Sequence, residues 1–176
     1  NVSGTDGQAI GAYGAAGTTD LSITVDGLVR SENNDAIFTR LYGSGDLTLT
    51  ATNTAGEAQI TGGGSGVYAL NAGSGAASVT VDNVTAANGN GIFVDNEASA
   101  TSLSVTAKGT VQATTGAGIF AENDGTGDLT INATNAEGDA AGSGTTYGIF
   151  AEHTGSGATV VTANSVTGTV IDGIRV

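Results

Sequence analysis

The sequence predicts an all-β fold, a right-handed parallel β-helix (β-solenoid) of about six three-stranded coils, each of 25–30 residues. Three observations predict it. One stretch of the chain recurs as near-copies, apolar and polar residues alternate at a spacing of two, and breaks rich in Gly and Asn separate the alternating stretches.

The recurring stretch is clearest as GIFAENDGTGDLTINATN, which starts at Gly118. Near-copies start at Ala36 (AIFTRLYGSGDLTLTATN) and at Gly148 (GIFAEHTGSGATVVTANS). One aliphatic residue of the repeat recurs with gaps of 27, 30, 25, 27, 30 and 25 residues, at Ile10, Ile37, Val67, Ile92, Ile119, Ile149 and Ile174. The set of three gaps occurs twice, so a block of three coils is duplicated with a period of 82 residues.

Each coil holds three short apolar patches whose spacing of two is the period of a strand. In the coil from Gly118 the first patch contains Ile119, and the second contains Leu129 and Ile131. The third patch is clearer in other coils, as Val29, Val84, Val111 and Val166. Breaks such as NDG, GSG and NGNG predict turns whose glycines have positive φ. Because the coil length is nearly constant, each strand is expected to pair in parallel with its equivalent one coil along.

The recurring aliphatic residues are expected to point inward and to stack in one column. Small residues follow two positions later, at Ala12, Ala69, Ala121 and Ala151. Next on the same face come Asn71, Asn96 and Asn123, with His153 in the sixth coil. We interpret the three asparagines as a structural corner ladder, since Asn can bond both its own turn and the neighbouring coil.

Two columns are expected to point outward on the same face. The first is aromatic and consists of Phe38, Tyr68, Phe93, Phe120 and Phe150; the second is acidic and consists of Asp95, Glu122 and Glu152. Together they are the candidate partner-binding strip, since contiguous exposed aromatics mark contact surfaces. The aromatics could instead stack along the axis or lie under an element outside this chain. The carboxylates could form a solvated edge, bind Ca²⁺ between two of them or, as a third alternative, form a glycosidase pair.

A third outward column is predicted to consist of threonine, with the members Thr24, Thr48, Thr50, Thr80, Thr106, Thr130 and Thr162. Such an array resembles the surface of ice-binding β-solenoids, although Thr is also a common strand residue on a solvated face.

Composition narrows the function classes. The net charge of −13, from 17 acidic and 4 basic residues, argues against nucleic acid and anionic membrane surfaces as partners. Zero Cys excludes disulfides, thiol catalysis and cysteine metal sites. No apolar run reaches the roughly 18 residues of a membrane span, and we expect no membrane insertion, cofactor or resident metal.

The repeated GIFAEN…GTGDLTINAT and GIFVDN…LSVTAKGTV units, the Asn column and the absence of Cys resemble the passenger region of Gram-negative type V autotransporters. The resemblance covers nearly the whole chain. It implies that residues 1–176 are a single β-helix fragment of a larger passenger region, exported through the outer membrane and displayed on the cell surface. The implied function is a non-enzymatic stalk and adhesin, with a host cell-surface or matrix protein or glycan as partner.

Three further expectations stand beside this one. β-Helices also carry polysaccharide lyases and hydrolases, but the four basic residues of this chain, Arg30, Arg40, Lys108 and Arg175, occupy unrelated coil positions. An ice-binding β-solenoid is the other alternative. Self-association through the solenoid ends or faces is expected wherever strand edges are left unpaired.

Overall fold

The computed structural model describes residues 1–52, 60–134 and 142–176, so Asn53 and Asn135, at the ends of two recurring stretches, lie outside the described residues. The described residues form a β-solenoid of about six turns with three strands per coil, and no helix occurs among them. All three sheets are parallel, which confirms the predicted class.

Each sheet collects one strand from every coil. Sheet A contains β1 (Val2–Gly4), β4 (Val29–Ser31), β7 (Ile60–Gly62), β10 (Val84–Ala86), β13 (Val111–Ala113), β16 (Gly142–Gly144) and β19 (Val166–Gly168). Sheet B contains β2 (Ile10–Gly14), β5 (Ile37–Leu41), β8 (Val67–Asn71), β11 (Ile92–Asn96), β14 (Ile119–Asn123), β17 (Tyr147–His153) and β20 (Asp172–Arg175). Sheet C contains β3 (Leu21–Asp26), β6 (Leu47–Thr52), β9 (Ala77–Val81), β12 (Leu103–Ala107), β15 (Leu129–Ala133) and β18 (Thr159–Ala163).

The strand register reproduces the gaps found in the sequence. Ile92 lies opposite Val67 on one side and opposite Ile119 on the other. The same aliphatic position is paired throughout sheet B, from Ile10 with Ile37 to Ile149 with Ile174. The duplication of 82 residues is therefore a duplication of three coils.

The inside of the tube is aliphatic and closely packed. Ile37, Ile92 and Ile119 are completely buried, and each such side chain contributes about 1.5–3 kcal/mol of burial. The position two residues later in sheet B is small in several coils, as at Ala69 and Ala121. Larger residues also fit there, because Val94 and Thr39 occupy it in other coils and are fully buried.

The turn glycines are needed for a different reason from the predicted one. Among the described residues only Gly27, at φ 124°, has positive φ, so the prediction that the glycine runs supply such conformations is wrong. A Cβ added at Gly45 would lie 1.3 Å from the carbonyl oxygen of Thr19, and one added at Gly43 would lie 1.7 Å from that of Thr18. Successive turns thus stack so closely that only hydrogen fits between them.

Side-chain carboxylates also hold the turns between sheets B and C together. The backbone N–H of Asp46 donates to Oδ1 of Asp20 over 2.9 Å, and that of Ala76 donates to Oδ1 of Asp46 over 2.8 Å. These bonds run from one coil to the next, so they satisfy turn N–H groups that no strand pairs.

Candidate interaction surface on sheet B

The aromatic strip, defined as Phe38, Tyr68, Phe93, Phe120 and Phe150, is a continuous stack on the outer face of sheet B. Consecutive members are register partners on neighbouring strands. Their ring centroids lie 5.1, 4.6, 5.2 and 4.6 Å apart in chain order, with interplanar angles of 8–22°. All five side chains are half-buried.

This stacking decides which part of each ring faces solvent. The centroid distances match the spacing of neighbouring strands, about 4.8 Å, so the ring faces are turned along the solenoid axis. Each inner ring covers the faces of its two neighbours, and the ring edges form the outer surface. The strip is therefore an apolar ridge of ring edges and not a row of open ring faces.

Tyrosines cover both ends of the stack. Tyr13 lies 5.4 Å from Phe38 at an interplanar angle of 36°, and Tyr147 lies 5.1 Å from Phe150 at 47°. Tyr13 is not a register partner of Phe38, because Gly11 holds that place. A Cβ added at Gly11 would lie 3.8 Å from the Tyr13 ring, so the ring occupies the space that a larger side chain at this position would fill.

The acidic column, defined as Asp95, Glu122 and Glu152, runs beside the aromatic strip. Asp95 pairs with Glu122, and Glu122 pairs with Glu152, so the carboxylates lie one coil apart on the outer face. Leu70 and Arg40 precede Asp95 in this column. The Arg40 cation therefore lies before the acidic column, and Arg175, the register partner of Phe150, lies beyond its other end.

Burial and the negative environment raise the pKa values of two members of the acidic column, Asp95 and Glu122. Burial raises the pKa of Asp95, and the neighbouring carboxylates of Glu97 and Asp124 raise it further. The pKa of Glu122 is raised by burial, then by the charges of Asp95, Asp124 and Glu152. The only salt bridge between described residues joins Arg30 to Glu32, so no member of the column takes part in one. The column is a group of mutually repelling charges.

The charges also act on the aromatic strip. The pKa of the Tyr68 phenol is raised, first by burial and then by the negative charge of Asp95, with the Arg40 cation acting in the opposite direction. The acidic column and the aromatic strip therefore interact electrostatically, through Asp95 and the Tyr68 phenol.

The corner ladder is defined as Asn71, Asn96 and Asn123, the last residues of β8, β11 and β14. Its side chains lie on the inner face of sheet B and are fully buried. Nδ2 of Asn71 donates to Oδ1 of Asn96 over 2.8 Å, and Nδ2 of Asn96 donates to Oδ1 of Asn123 over 2.6 Å. Each Nδ2 also donates to its own turn, at Gly75, Thr101 and Gly127. These are the two kinds of bond expected of a corner residue, and they fix the turn after sheet B.

His153 continues the ladder in the next coil. Its Nε2 lies 3.4 Å from Nδ2 of Asn123, and its Nδ1 lies 3.1 Å from Oγ1 of Thr159. Because an amide nitrogen only donates, Nε2 must accept, and the Nδ1–H then donates to Thr159. This places His153 in a corner role.

The threonine column predicted from the sequence is in fact two columns on sheet C. Thr48 and Thr130 belong to one, while Thr24, Thr50, Thr80, Thr106 and Thr162 belong to the other. The remaining outward positions of the two columns are Ser22, Ser78, Ser104, Val160 and Asn132. Residues two apart on a strand share a face but not a column, which is why the single-column prediction was wrong.

No metal centre is found in the described part of the chain, where no three His, Asp or Glu side chains are grouped to hold an ion. Ca²⁺ between two carboxylates of the acidic column stays an alternative to the expected absence of a metal, and a carboxylate pair acting on polysaccharide stays an alternative to a non-enzymatic role. Within the same ranges, no helix is long and apolar enough to cross a bilayer.

Several residues of this surface were missed by sequence reasoning. Tyr13 and Tyr147 lie outside the aromatic column, and Glu97 and Asp124 lie just beyond the strand ends next to the acidic column. A signal existed for Tyr13, because Gly11 occupies the aromatic position of its coil and leaves space for a neighbouring ring.

Comparisons with protein-family models, with curated proteins and with solved structures gave no match.

Proposed function

We propose that the chain is a non-enzymatic, surface-displayed β-solenoid that acts as a stalk and binds a host cell-surface or matrix component through sheet B. The aromatic strip together with the acidic column is the binding surface. The observation that supports this proposal most strongly is the continuous stack of five half-buried rings on one outer face.

The columns support a binding role because the fold alone does not require them. A solvated β-sheet face is stable with Ser and Thr, as the outer face of sheet C demonstrates. Sheet B instead keeps apolar ring edges at the surface in five successive coils. Contiguous apolar surface of this kind is typical of contact sites.

Display on a bacterial surface as part of an autotransporter passenger region is the second half of the proposal. It is supported by the repeat units quoted above and by the regular solenoid, whose length grows by about 4.8 Å with each coil. A rigid tube of this kind can hold a binding face away from the membrane.

An adhesion assay tests the proposal. Beads coated with the protein should adhere to cultured epithelial cells or immobilised matrix, and the double variant Phe93→Ala/Phe120→Ala should reduce adhesion at least tenfold, which corresponds to about 1.4 kcal/mol. Tyr42→Ala is the matched control, because Tyr42 is 45% exposed and lies outside the strip. Circular dichroism must show that the variants are folded. If the folded double variant adheres as well as the wild type, the proposal that sheet B carries the binding surface is wrong.

A second candidate function rests on sheet C. Its two outward columns carry Ser or Thr at almost every position, which forms a regular array of hydroxyl groups. Such an array supports ice binding. Thermal hysteresis measured on the purified protein tests it, and Thr80→Val or Thr106→Val should change the hysteresis if the array binds ice.

A further inference from the structure

We propose that the ligand of sheet B is a cationic, extended protein segment that lies along the solenoid axis, with aliphatic side chains on the aromatic strip and Lys or Arg over the acidic column. This inference rests on the proposed function and names the class of partner.

The orientation of the rings favours aliphatic side chains over sugars. Sugar rings and organic cations bind aromatic residues through the ring face. In the strip those faces are covered, because Phe93 is stacked against Tyr68 at 4.6 Å and against Phe120 at 5.2 Å. What remains outside is a ridge of edges, against which Val, Ile or Leu side chains can pack without displacing a ring.

The charges of the face favour a cationic partner. Asp95, Glu122 and Glu152 stand in one column, and Glu97 and Asp124 add to the negative charge acting on Asp95. No salt bridge between described residues compensates this column. A Lys or Arg brought to it gains a partner and relieves the repulsion among the carboxylates. An anionic glycan would be repelled, and so would a second copy of a chain with a net charge of −13.

The spacing of the columns matches one extended chain. The aromatic strip spans five strands, which is about 19 Å and equals the length of about six extended residues. The strip and the acidic column are two residues apart on each strand, as Phe93 and Asp95 show, and are thus about 7 Å apart. Because successive side chains of an extended segment point to opposite sides, one set would cover the rings, and along the last three strands of the strip the other set would cover the carboxylates.

The probe is a synthetic peptide of about eight residues that alternates lysine and valine, which is long enough to cover the strip. Two peptides of equal length serve as controls, one alternating glutamate and valine and the other lysine and serine. Binding to the folded protein is measured by isothermal titration calorimetry at low and at high salt. We expect the lysine–valine peptide to bind more tightly than either control, and more weakly at high salt.

Protein variants then locate the contact. The double variant Glu122→Gln/Glu152→Gln should bind the lysine–valine peptide about tenfold more weakly than wild type, since two exposed charge pairs together contribute about 1.4 kcal/mol. Asp26→Asn/Glu32→Gln removes the same number of charges away from sheet B and should leave the affinity within about twofold of wild type. The double variant Phe93→Leu/Phe120→Leu should lower the affinity for the lysine–valine peptide but leave the affinity for the lysine–serine peptide unchanged.

The inference is overturned if both double charge variants bind equally, or if the lysine–serine peptide binds as tightly as the lysine–valine peptide. Its failure can be told apart from that of the proposed function. If Glu122→Gln/Glu152→Gln adheres to cells like wild type while Phe93→Ala/Phe120→Ala does not, the face binds a partner that is not cationic. If wild type does not adhere at all, the proposed function fails, and the peptide measurements still decide whether the face selects cationic segments.

Discussion

Asn96 donates a side-chain hydrogen bond to Asn123 over 2.6 Å, from one coil of the solenoid to the next, with both side chains completely buried. Asn96 also accepts from Asn71 and donates to the carbonyl of Thr101. One side chain thus connects three coils and its own turn.

Asn96→Ala should therefore destabilise the protein by about 3 kcal/mol, because three hydrogen bonds of about 1 kcal/mol each, two of them buried, are lost. Urea unfolding followed by circular dichroism measures the change. Asn132→Ala is the control, since Asn132 is exposed on sheet C and bonds only Thr134 among the contacts described. A loss at Asn96 no larger than that at Asn132 would contradict the structural role of the ladder.

Close stacking of the turns gives a second prediction. Gly45→Ala places a methyl group against the backbone oxygen of Thr19, and backbone cannot move aside cheaply, so we expect a loss of several kcal/mol or a failure to fold. Gly17→Ala meets no atom within 4 Å and should stay within about 0.5 kcal/mol of wild type. Thermal unfolding of the two variants compares them directly. Equal unfolding temperatures would show that the turns do not stack as described.

The acidic column gives a prediction on pH. The pKa values of Asp95 and Glu122 are raised in the folded protein, so the folded state binds more protons than the unfolded chain where these groups titrate. Their contribution to the free energy of unfolding should therefore increase as the pH falls from neutral toward the ordinary carboxyl range, about pH 4.

Asp95→Asn/Glu122→Gln should remove this contribution and should make the protein more stable than wild type at neutral pH. The advantage should shrink as the pH falls, because the wild-type carboxyls then become neutral as well. Urea midpoints of both proteins across the pH range test it. A variant that is less stable than wild type at neutral pH would show that the two carboxylates are not a source of repulsion.

The aromatic stack should contribute to stability as well as to binding. Phe93→Leu keeps an apolar side chain but loses the stacked contacts with Tyr68 and Phe120, and each such contact contributes about 0.5–1.5 kcal/mol. The expected loss is about 1–3 kcal/mol in urea unfolding. Tyr42→Leu, which removes only an exposed contact with Arg40 at 4.6 Å, should cost less than about 1 kcal/mol. If both substitutions cost the same, the rings are not stacked in solution.

The solenoid could be predicted from the sequence because side-chain direction in a strand has a period of two and the repeat gaps recur. These two periods predict Ile92 beside Ile119 and Phe93 beside Phe120, as the register confirms. The sequence left the ring orientation open, since the same column of Phe is compatible with rings that lie flat or stack, and the alternative of stacking along the axis is the one confirmed. The function of the turn glycines was also hidden, because positive φ and close approach both select Gly.

Residues next to the columns could not be predicted as part of the sheet B surface, for a different reason. Tyr13 and Tyr147 reach the stack sideways from other positions, and Asp124 acts on the acidic column from beyond a strand end. Column counting compares equivalent positions only, so contacts between unlike positions are not visible to it. The division of the threonines between two columns required only an alignment of equivalent coil positions, because residues two apart on a strand share a face but lie in different columns.

Selective masking of one sheet face tests the central claim most directly. The chain has no Cys, so single cysteines can be introduced at outward positions and coupled to a bulky maleimide polymer. Suitable positions are Glu152 on sheet B, Thr85 on sheet A and Thr106 on sheet C. Adhesion of the labelled Glu152→Cys protein to cells should be lost, while labelled Thr85→Cys and Thr106→Cys proteins adhere like wild type. Full adhesion after masking at Glu152, or equal loss from all three faces, would contradict a binding surface on sheet B.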